Sequence, residues 1–278
     1  MPSLLKLQGE TVRNMCVYFY PFVGYVMNVV QVIGIEGIPI VKPGDNIAEL
    51  ICKAAEKQGT PIQEGDIIVV THVVVSRAEG RIVNLNEIVP SAFAKNIAEL
   101  YGKDPALVEV VLREAKSIRR MVDGKIITET RQGFICANSG VDKSNVPGEN
   151  CVTLLPEDPD ASARKIRSEI KRLTGCDVAV IISDTHGRPF REGEINVAVG
   201  VSGIKPIRDR RGEKDLFGYV LRVKQTAVAD ELASAAELVI GQADEGIPAA
   251  IIRGYKFVKS EDARATELVR PKDKDLFI

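Results

Sequence analysis

The segment from Val178 to Pro189 constrains the fold of this chain most, because an uncharged, β-branched run stops there at a carboxylate. A run of this composition is typical of a buried strand. Polar residues from Ser183 to His186 follow it, and Gly187 and Pro189 then turn the backbone. Because α/β sheets bind ligands at strand ends, we predict that Asp184 is the centre of a functional site.

The composition of the 278 residues is that of a globular protein and argues against several classes of partner. The 37 Lys and Arg residues nearly balance the 38 Asp and Glu residues, so no overall positive field favours nucleic acid. The five cysteines form no CxxC pair, which favours reduced thiols over structural zinc. We therefore predict a cytoplasmic protein with neither a nucleic-acid nor a membrane partner, in which any attraction for anions is local.

One uncharged segment, Met15 to Ile35, has the alternative interpretation of a signal peptide or membrane anchor. Proline, glycine and amide residues interrupt it, and its end alternates like a first strand. Met27 stands directly before that strand. We therefore expect residues 1–26 to be an extension outside the catalytic fold, the main domain to span 27–258 and a charged tail to span 259–278.

Helical and strand-like patterns alternate along the rest of the chain, which predicts an α+β fold of two interleaved lobes of mixed sheet and helices forming one unit. The predicted helices span residues 47–57 with Asp45 as N-cap, two segments between 90 and 116 split at Gly102 and Pro105, 161–173, and 223–237. The predicted strands span 29–36 with a turn at 37–40, 67–75, 134–137, 178–186, 195–204, 238–240 and 247–253, with a hairpin within 116–135.

Three polar loops with oxygen-rich side chains follow apolar runs. Asp142 lies in the first loop, Asp184 and Thr185 in the second, and Gln242 in the third. If these loops converge, their oxygens would suit a hard cation such as Mg²⁺ or Mn²⁺. An aspartate after a strand also commonly caps a turn or a helix, so for each aspartate taken alone a purely structural role is the alternative.

A metal held by carboxylates suggests a polyanionic substrate, and the densest cationic loop spans Lys205 to Lys214. With Arg188, this loop is a candidate anion-binding element; the alternative is a solvated loop neutralised by its own acids. No Walker A sequence occurs, so standard phosphate loops do not indicate nucleotide binding. A lone histidine is more often structural than catalytic, so we rank His72 and His186 as ligand contacts. The residues alone leave the reaction open.

Five sequence motifs occur in order along the chain: VIGIEGIPI at 32–40, SRAEGR at 76–81, NSGVDKSN at 138–145, SDTHGR at 183–188, and GIP at 246–248 with RG at 253–254. With these motifs the chain resembles the coenzyme F420-0:L-glutamate ligase family, the gamma-glutamyl ligases that lengthen the tail of a deazaflavin coenzyme. The resemblance covers residues 27–257, and the family starts near Met27.

The resemblance implies a GTP-dependent ligase of coenzyme F420 biosynthesis. In that reaction the terminal carboxylate of F420-0 is phosphorylated, and the amino group of L-glutamate displaces the phosphate, so that a gamma-linked chain is formed. The implied cofactors are Mg²⁺ or Mn²⁺, with K⁺ as a further candidate, and the implied assembly is a homodimer. The alternatives are a related nucleotide-dependent ligase for another acid, a non-catalytic GTP- and metal-binding module, and a membrane-anchored variant.

The resemblance also assigns residues by their positions in the motifs. The implied metal ligands are Asp142, Asp184, Thr185 and Gln242. The implied GTP contacts are Ile38, Pro39, Ile40, Val41, His72, Val73, Arg77, Asn145, Ile240, Gly241, Gln242, Ala243, Asp244, Glu245, Gly246 and Ile247. Arg77 stands where relatives usually carry lysine, and Gln242 where some carry an acid. From charge alone, we expect Arg188, Lys205 and Arg208 to orient the anionic acceptor or glutamate.

Overall fold

The structure is a computed structural model that describes residues 29–275. The strands are β1 Gln31–Gly34, β2 Ile67–Thr71, β3 Ile82–Asn84, β4 Ala115–Val122, β5 Lys125–Thr130, β6 Ile135–Ala137, β7 Cys151–Thr153, β8 Ala179–Arg188, β9 Arg191–Ser202, β10 Arg208–Asp209, β11 Gln225–Thr226 and β12 Ala249–Arg253. The helices are α1 Ile47–Lys57, α2 His72–Ala78, α3 Ala92–Tyr101, α4 Pro105–Glu114, α5 Pro159–Thr174 and α6 Val228–Ile240, with short 3₁₀ turns between them. The predicted extension over 1–26 and most of the anchor alternative lie outside the described residues.

A five-stranded mixed sheet with the order β1-β12-β2-β8-β9 forms the core. Strands β2 and β8 run parallel, whereas the other neighbouring pairs are antiparallel. Successive residues of β2, β8 and β12 are buried, so both faces of the sheet are covered. Helices α5 and α6 pack against β9, and α6 also contacts β1 and β12. This arrangement confirms a mixed α/β architecture.

Residues 82–153 form smaller sheets with apolar clusters of their own. One sheet has the order β4-β5-β6 and another pairs β3 with β7. Helices α3 and α4 pack on them through residues such as Ala94, Val108 and Ile126. The chain leaves the central sheet after α2 and rejoins it at α5 and β8. The interleaving of two lobes stays a prediction.

Several predicted elements are confirmed with their expected boundaries. Helix α1 spans the predicted residues, and α3 and α4 are separate because Gly102 ends the first in a left-handed conformation (φ +62°) and Pro105 starts the second. The β4–β5 hairpin turns at Asp123 and Gly124, as predicted. Helix α5 ends at Gly175, which is also left-handed (φ +77°).

The predicted N-cap of α1 is wrong by one residue. The side chain of Asn46, and not that of Asp45, accepts the Glu49 backbone N–H at 3.2 Å. The Asp45 carboxylate instead accepts the Lys42 N–H at 2.7 Å and closes the preceding turn. Both residues are common caps, so local composition does not separate them.

Two predicted strands are wrong because β-branched residues also occur in helices. The strand at 67–75 ends at Thr71, and α2 begins at His72. Residues 238–240 are the last turn of α6, where Leu238 is 86% exposed while Ile240 is buried, as on opposite sides of a helix. The central strand also differs from expectation, since β8 continues past Asp184 to Arg188 before it turns.

The segment after residue 258 contributes to the core. Ala263 and Ala265 are buried in the main apolar cluster, and the Ala265 N–H donates to the Asp160 carboxylate at 3.1 Å.

Between residues 29 and 275, no helix has both the length and the apolar composition needed to cross a membrane.

We predict that Gly200→Ala destabilises the protein by about 3 kcal/mol, because a methyl group there overpacks a fixed backbone. A Cβ at Gly200 in β9 would lie 2.5 Å from the Pro159 carbonyl oxygen at the start of α5. Chemical denaturation measures the change in the free energy of unfolding. Gly187→Ala in β8 is the matched control, since nothing lies within 4 Å of its Cβ position; equal losses in both variants would contradict the prediction.

Candidate active site

A cavity of about 460 Å³ lies where β2 ends beside β8. Because these strands are parallel and Thr71 pairs with Ser183, the next residues, His72 and Asp184, emerge together at the cavity wall. The loop after β6 and the loop between α6 and β12 form further walls. Four segments that are distant in sequence therefore meet in one place.

Most of the predicted site residues line this cavity. They are Ile38, Pro39, Ile40, His72, Val73, Arg77, Asp142, Asn145, Asp184, Thr185, Ile240, Gly241, Gln242, Ala243, Glu245, Gly246 and Ile247. Val41 is 3% exposed and packs in the core, and Asp244 is exposed outside the lining. The structure thus brings the four predicted metal ligands together, while their roles as ligands stay predictions.

Two histidines and a backbone amide hold the Asp184 carboxylate. Its Oδ1 lies 3.1 Å from His72 Nε2 and accepts the Thr185 N–H at 2.8 Å, and its Oδ2 lies 3.0 Å from His186 Nε2. His72 starts α2, whereas His186 lies two residues further along β8, on the same side of the strand as Asp184. A carboxylate has about four lone-pair positions, so Oδ2 keeps one for another ligand.

This arrangement shifts the pKa of all three groups. Burial alone would raise the pKa of Asp184, but the charges and hydrogen bonds of His72 and His186 outweigh it and hold that pKa far below its usual range. Burial opposes the charged form of His186, yet hydrogen bonds to Asp184 and Cys136 raise its pKa to about 10. The pKa of His72 is also raised, since Asp184 and Asp142 offset its burial. The carboxylate is therefore ionised at neutral pH.

A second network joins Thr185 to Gln242. The Thr185 hydroxyl lies 2.8 Å from Asn196 Oδ1 and 3.1 Å from Gln242 Oε1. The amide nitrogen of Gln242 donates to Asn196 Oδ1 at 3.3 Å and to Glu237 Oε1. Asn196 pairs with Thr185 across the β8–β9 register and is 3% exposed. Strands β8 and β9 and the end of α6 therefore share one polar network.

Asp142 lies in a loop whose backbone is unusual. Asn138, Ser139 and Asn145 all have φ between +51° and +56°, a conformation that costs energy for residues with a Cβ and that clusters at functional sites. Buried Ser139 anchors the loop by donating to the Val111 carbonyl at 2.9 Å. The Asp142 carboxylate accepts from the Ser144 N–H at 2.7 Å and from its hydroxyl at 2.8 Å.

The backbone N–H groups of the loop from Gly241 to Gly246 bind the side-chain carboxylate of Glu245, which belongs to the same loop. The Ala243 N–H donates to Glu245 Oε2 at 2.8 Å, and hydrogen bonds from the backbone N–H groups of Glu245, Ala243 and Gln242 lower the pKa of Glu245. Gly241 has φ +75°, and a Cβ there would collide with the Glu245 carboxylate. Because its N–H groups already hold one anion, the loop is suited to oxyanions.

Three buried polar atoms near the cavity lack hydrogen-bond partners within the described part of the chain. They are Arg77 Nε, His72 Nδ1 and Ser183 Oγ. Arg77 is half-buried, and burial lowers the pKa of its guanidinium without reaching neutrality. A buried donor without an acceptor is costly, so an oxyanion in the cavity would stabilise Arg77.

The other cationic candidates lie away from the cavity. Arg188 follows Asp184 on β8 and donates to the Glu192 carbonyl at 2.7 Å. Pro206, between Lys205 and Arg208, accepts the Ala229 N–H at the start of α6, whereas Gln242 follows the end of that helix. Since α6 has 13 residues, its ends lie about 20 Å apart. None of the three candidates lines the cavity, and a substrate-orienting role for them stays a prediction.

Sequence reasoning did not find Asn196, Glu237 or Ser144. Asn196 lies in β9 within an otherwise uncharged and largely apolar run at 195–201, where a buried amide is a detectable exception. Glu237 is the last residue of the amphipathic helix predicted over 223–237, and the helical pattern gives it no functional role. Ser144 lies in the polar loop at 138–145, and its contact with Asp142 two residues earlier is of the kind that aspartate commonly forms in turns.

The donor set suits a hard cation that takes oxygen ligands. Within residues 29–275, no three His, Cys, Asp or Glu side chains are grouped as a metal site. A divalent ion here would therefore need the Thr185 hydroxyl and the Gln242 amide oxygen in addition to two carboxylates, a mixture that Mg²⁺ and Mn²⁺ accept.

Comparison with known proteins identifies a family. The model of a family described as F420-0:Gamma-glutamyl ligase matches residues 35–254. Relatives named coenzyme F420:L-glutamate ligase are 53% identical in Methanothermobacter thermautotrophicus, over 89% of this chain and 98% of that protein, and 52% identical in Methanopyrus kandleri, over 87% and 96%. The protein of that name from Methanocaldococcus jannaschii is 50% identical, over 89% and 96%.

We predict that metal-free protein loses stability as pH rises from about 6.5 to about 10. A group whose folded-state pKa is raised contributes stability that is complete below its unfolded pKa and is lost as pH rises through its folded pKa, here about 10 for His186. Denaturant unfolding in EDTA measures the slope, and His186→Gln should reduce it by about 1.4 kcal/mol per pH unit.

Below about pH 6 the histidine is protonated in both states, so the two proteins should show the same slope there, which provides an internal control. An unchanged slope in His186→Gln between pH 7 and 9.5 would contradict the assigned ion pair.

Proposed function

The chain belongs to the F420-0:gamma-glutamyl ligase family, and on that basis we propose that it uses GTP and a divalent metal to join L-glutamate to coenzyme F420-0. The observation that carries this proposal is the convergence of Asp142, Asp184, Thr185 and Gln242 on one cavity with an oxyanion-binding loop and a half-buried arginine. Metal-binding oxygens beside phosphate-binding donors are what nucleotide-dependent ligation requires.

The reaction needs activation because an amide does not form readily from a carboxylate and an ammonium group in water. Phosphoryl transfer from GTP to the terminal carboxylate of F420-0 forms an acyl-phosphate and GDP. The amino group of L-glutamate then attacks the acyl carbon and displaces phosphate, which yields an amide of the F420-0 carboxyl. Activation of the γ-carboxylate of the added glutamate in the same way would give a gamma-glutamyl bond to the next one. A bound Mg²⁺ or Mn²⁺ ion would neutralise charge on the triphosphate during the first step.

The residues of this chain have distinct parts in the proposal. Asp142 and Asp184 would hold the metal, and the ionised state of Asp184 supports that role. The N–H groups of the loop from Gly241 to Gly246 would bind nucleotide phosphate oxygens after Glu245 is displaced. Arg77 would donate to a phosphate through its unsatisfied Nε.

Other features of the proposal have separate grounds. The homodimer and K⁺ as a further ion rest on the family resemblance alone, and a cytoplasmic location rests on the composition and the family. The roles of Arg188, Lys205 and Arg208 in orienting F420-0 or glutamate rest on charge alone. The division into an extension over 1–26, a ligase domain over 27–258 and a tail over 259–278 rests on the sequence pattern and the family resemblance.

Mass spectrometry tests the function directly. We expect F420-0 incubated with the protein, GTP, Mn²⁺ and L-glutamate to gain the mass of one or more glutamyl residues. We also expect GDP and phosphate to be formed only when both F420-0 and L-glutamate are present. Glutamylation of a different acid would favour the related-ligase alternative. GTP binding with unaltered F420-0 would favour a non-catalytic module and would contradict the proposal.

We predict that Asp184→Asn lowers kcat/KM by more than about 100-fold, because loss of a direct metal ligand exceeds the 10–100-fold effect typical of outer partners. The measurement is the rate of GDP release with both substrates, together with a far-ultraviolet circular dichroism spectrum as a check on folding. Asp273→Asn, at an exposed position remote from the cavity lining, is the matched control. Activity within tenfold of the unsubstituted protein would exclude Asp184 as a ligand.

We predict that Arg77→Ala raises the KM for GTP by about 10–100-fold, because a charged hydrogen bond contributes about 1.5–3 kcal/mol. Arg77→Lys should lose less, since it keeps the positive charge. Steady-state kinetics with varied GTP measure the effect, and Arg270→Ala, at an exposed position, is the control. If Arg77→Ala changes the KM for glutamate and leaves that for GTP unchanged, the phosphate-binding role is wrong.

A further inference from the structure

We infer that Glu237 and Asn196 are positioning residues that fix the side-chain amide of Gln242, so that its carbonyl oxygen faces Thr185 and the cavity as a metal ligand. This inference rests on the proposed function, because it concerns the same metal site. It adds two residues to which neither the motifs nor the comparisons give a role.

The orientation of the Gln242 amide follows from what surrounds it. Both hydrogens of Nε2 have acceptors, Glu237 Oε1 and Asn196 Oδ1. A carboxylate can only accept hydrogen bonds, so an amide turned by 180° would place its oxygen against Glu237 with no donor between them. The network therefore leaves Oε1 on the side of Thr185, whose hydroxyl lies 3.1 Å away.

Glu237 holds two partners at once, one with each carboxylate oxygen. Oε1 accepts from the Gln242 amide, and Oε2 accepts the backbone N–H of Asn196 at 2.9 Å. A neutral glutamine at position 237 has one oxygen and cannot replace both bonds. While residue 242 is a glutamine, the geometry thus requires a carboxylate at position 237.

Asn196 is fixed from several directions. Its carbonyl accepts the Ser234 hydroxyl at 2.7 Å, its N–H donates to Glu237, and its side chain is buried and contributes to the cavity wall. Helix α6 is joined to β9 independently, because the Asp230 carboxylate accepts the Ala198 N–H at 2.9 Å. The contact between Glu237 and Gln242 is therefore not needed to hold the helix to the sheet.

The arrangement also explains how a neutral residue can occupy this position of the site. A glutamine oxygen binds a divalent ion more weakly than a carboxylate does, but Glu237 places a negative charge one hydrogen bond behind it. Hydrogen bonds from ligands to a second layer of acceptors orient the ligand and increase its electron donation to the metal. Gln242 and Glu237 together would thus take the part of a single acidic ligand.

Exchanging the residue types at positions 237 and 242 tests the positioning role of Glu237. Mn²⁺ affinity is measured by electron paramagnetic resonance of free Mn²⁺, with the full chain and saturating GDP, and without turnover. We expect Glu237→Gln to weaken Mn²⁺ binding by about tenfold. In the double variant Glu237→Gln/Gln242→Glu, the new amide can donate to residue 242 and still accept the Asn196 N–H, so affinity should return to within about threefold of the unsubstituted protein.

Glu231→Gln is the matched control, since it makes the same chemical change at an exposed position of α6 and should leave the affinity unchanged. The inference is overturned if Glu237→Gln binds Mn²⁺ as tightly as the unsubstituted protein. It is also overturned if the double variant binds Mn²⁺ no more tightly than Glu237→Gln does. That result is the one expected if Glu237 only stabilises the fold. If the unsubstituted protein binds no Mn²⁺, the metal site of the proposed function is wrong, and the positioning role with it.

Discussion

The parallel pairing of β2 with β8 is the constraint on which the site depends. Their register sets Thr71 opposite Ser183, so His72, the first residue of α2, lies beside Asp184 of β8 at the point where β2 ends. The His72–Asp184 contact follows from this register and not from proximity in sequence. Because a slip of one residue would turn Asp184 to the other face of the sheet, the buried runs of both strands also maintain the chemistry of the cavity.

The candidate site combines, in a small space, groups that favour ligands of opposite charge. Asp184 is buried and ionised because two histidines oppose it, whereas Arg77 is half-buried with an unsatisfied nitrogen. The first arrangement presents negative charge to a cation, and the second leaves positive charge for an anion. A metal complexed with a polyphosphate, as in the proposed function, would offer a cation to the first arrangement and an anion to the second.

Part of this organisation was predictable from the sequence, and the part that was not has physical causes. The apolar run before Asp184 identified the central strand, and the loops after three segments identified Asp142, Thr185 and Gln242 as neighbours. The prediction of a strand at 238–240 was wrong because Val239 and Ile240 favour strands by type, although exposed Leu238 and buried Ile240 lie on opposite sides of a helix. Asn196 and Glu237 were missed because their partners come from different elements, so no local spacing records the contact.

Helix α6 separates the basic loop of its own chain from the cavity. The loop meets one end of the helix at Pro206, and Gln242 follows the other end, about 20 Å away. At physiological ionic strength the screening length is about 8 Å, so the two ends of the helix lie more than two screening lengths apart. Within one chain, the field of the basic loop at Gln242 is thus largely damped by salt, and the potential at Gln242 depends mainly on nearer charged groups such as Glu237.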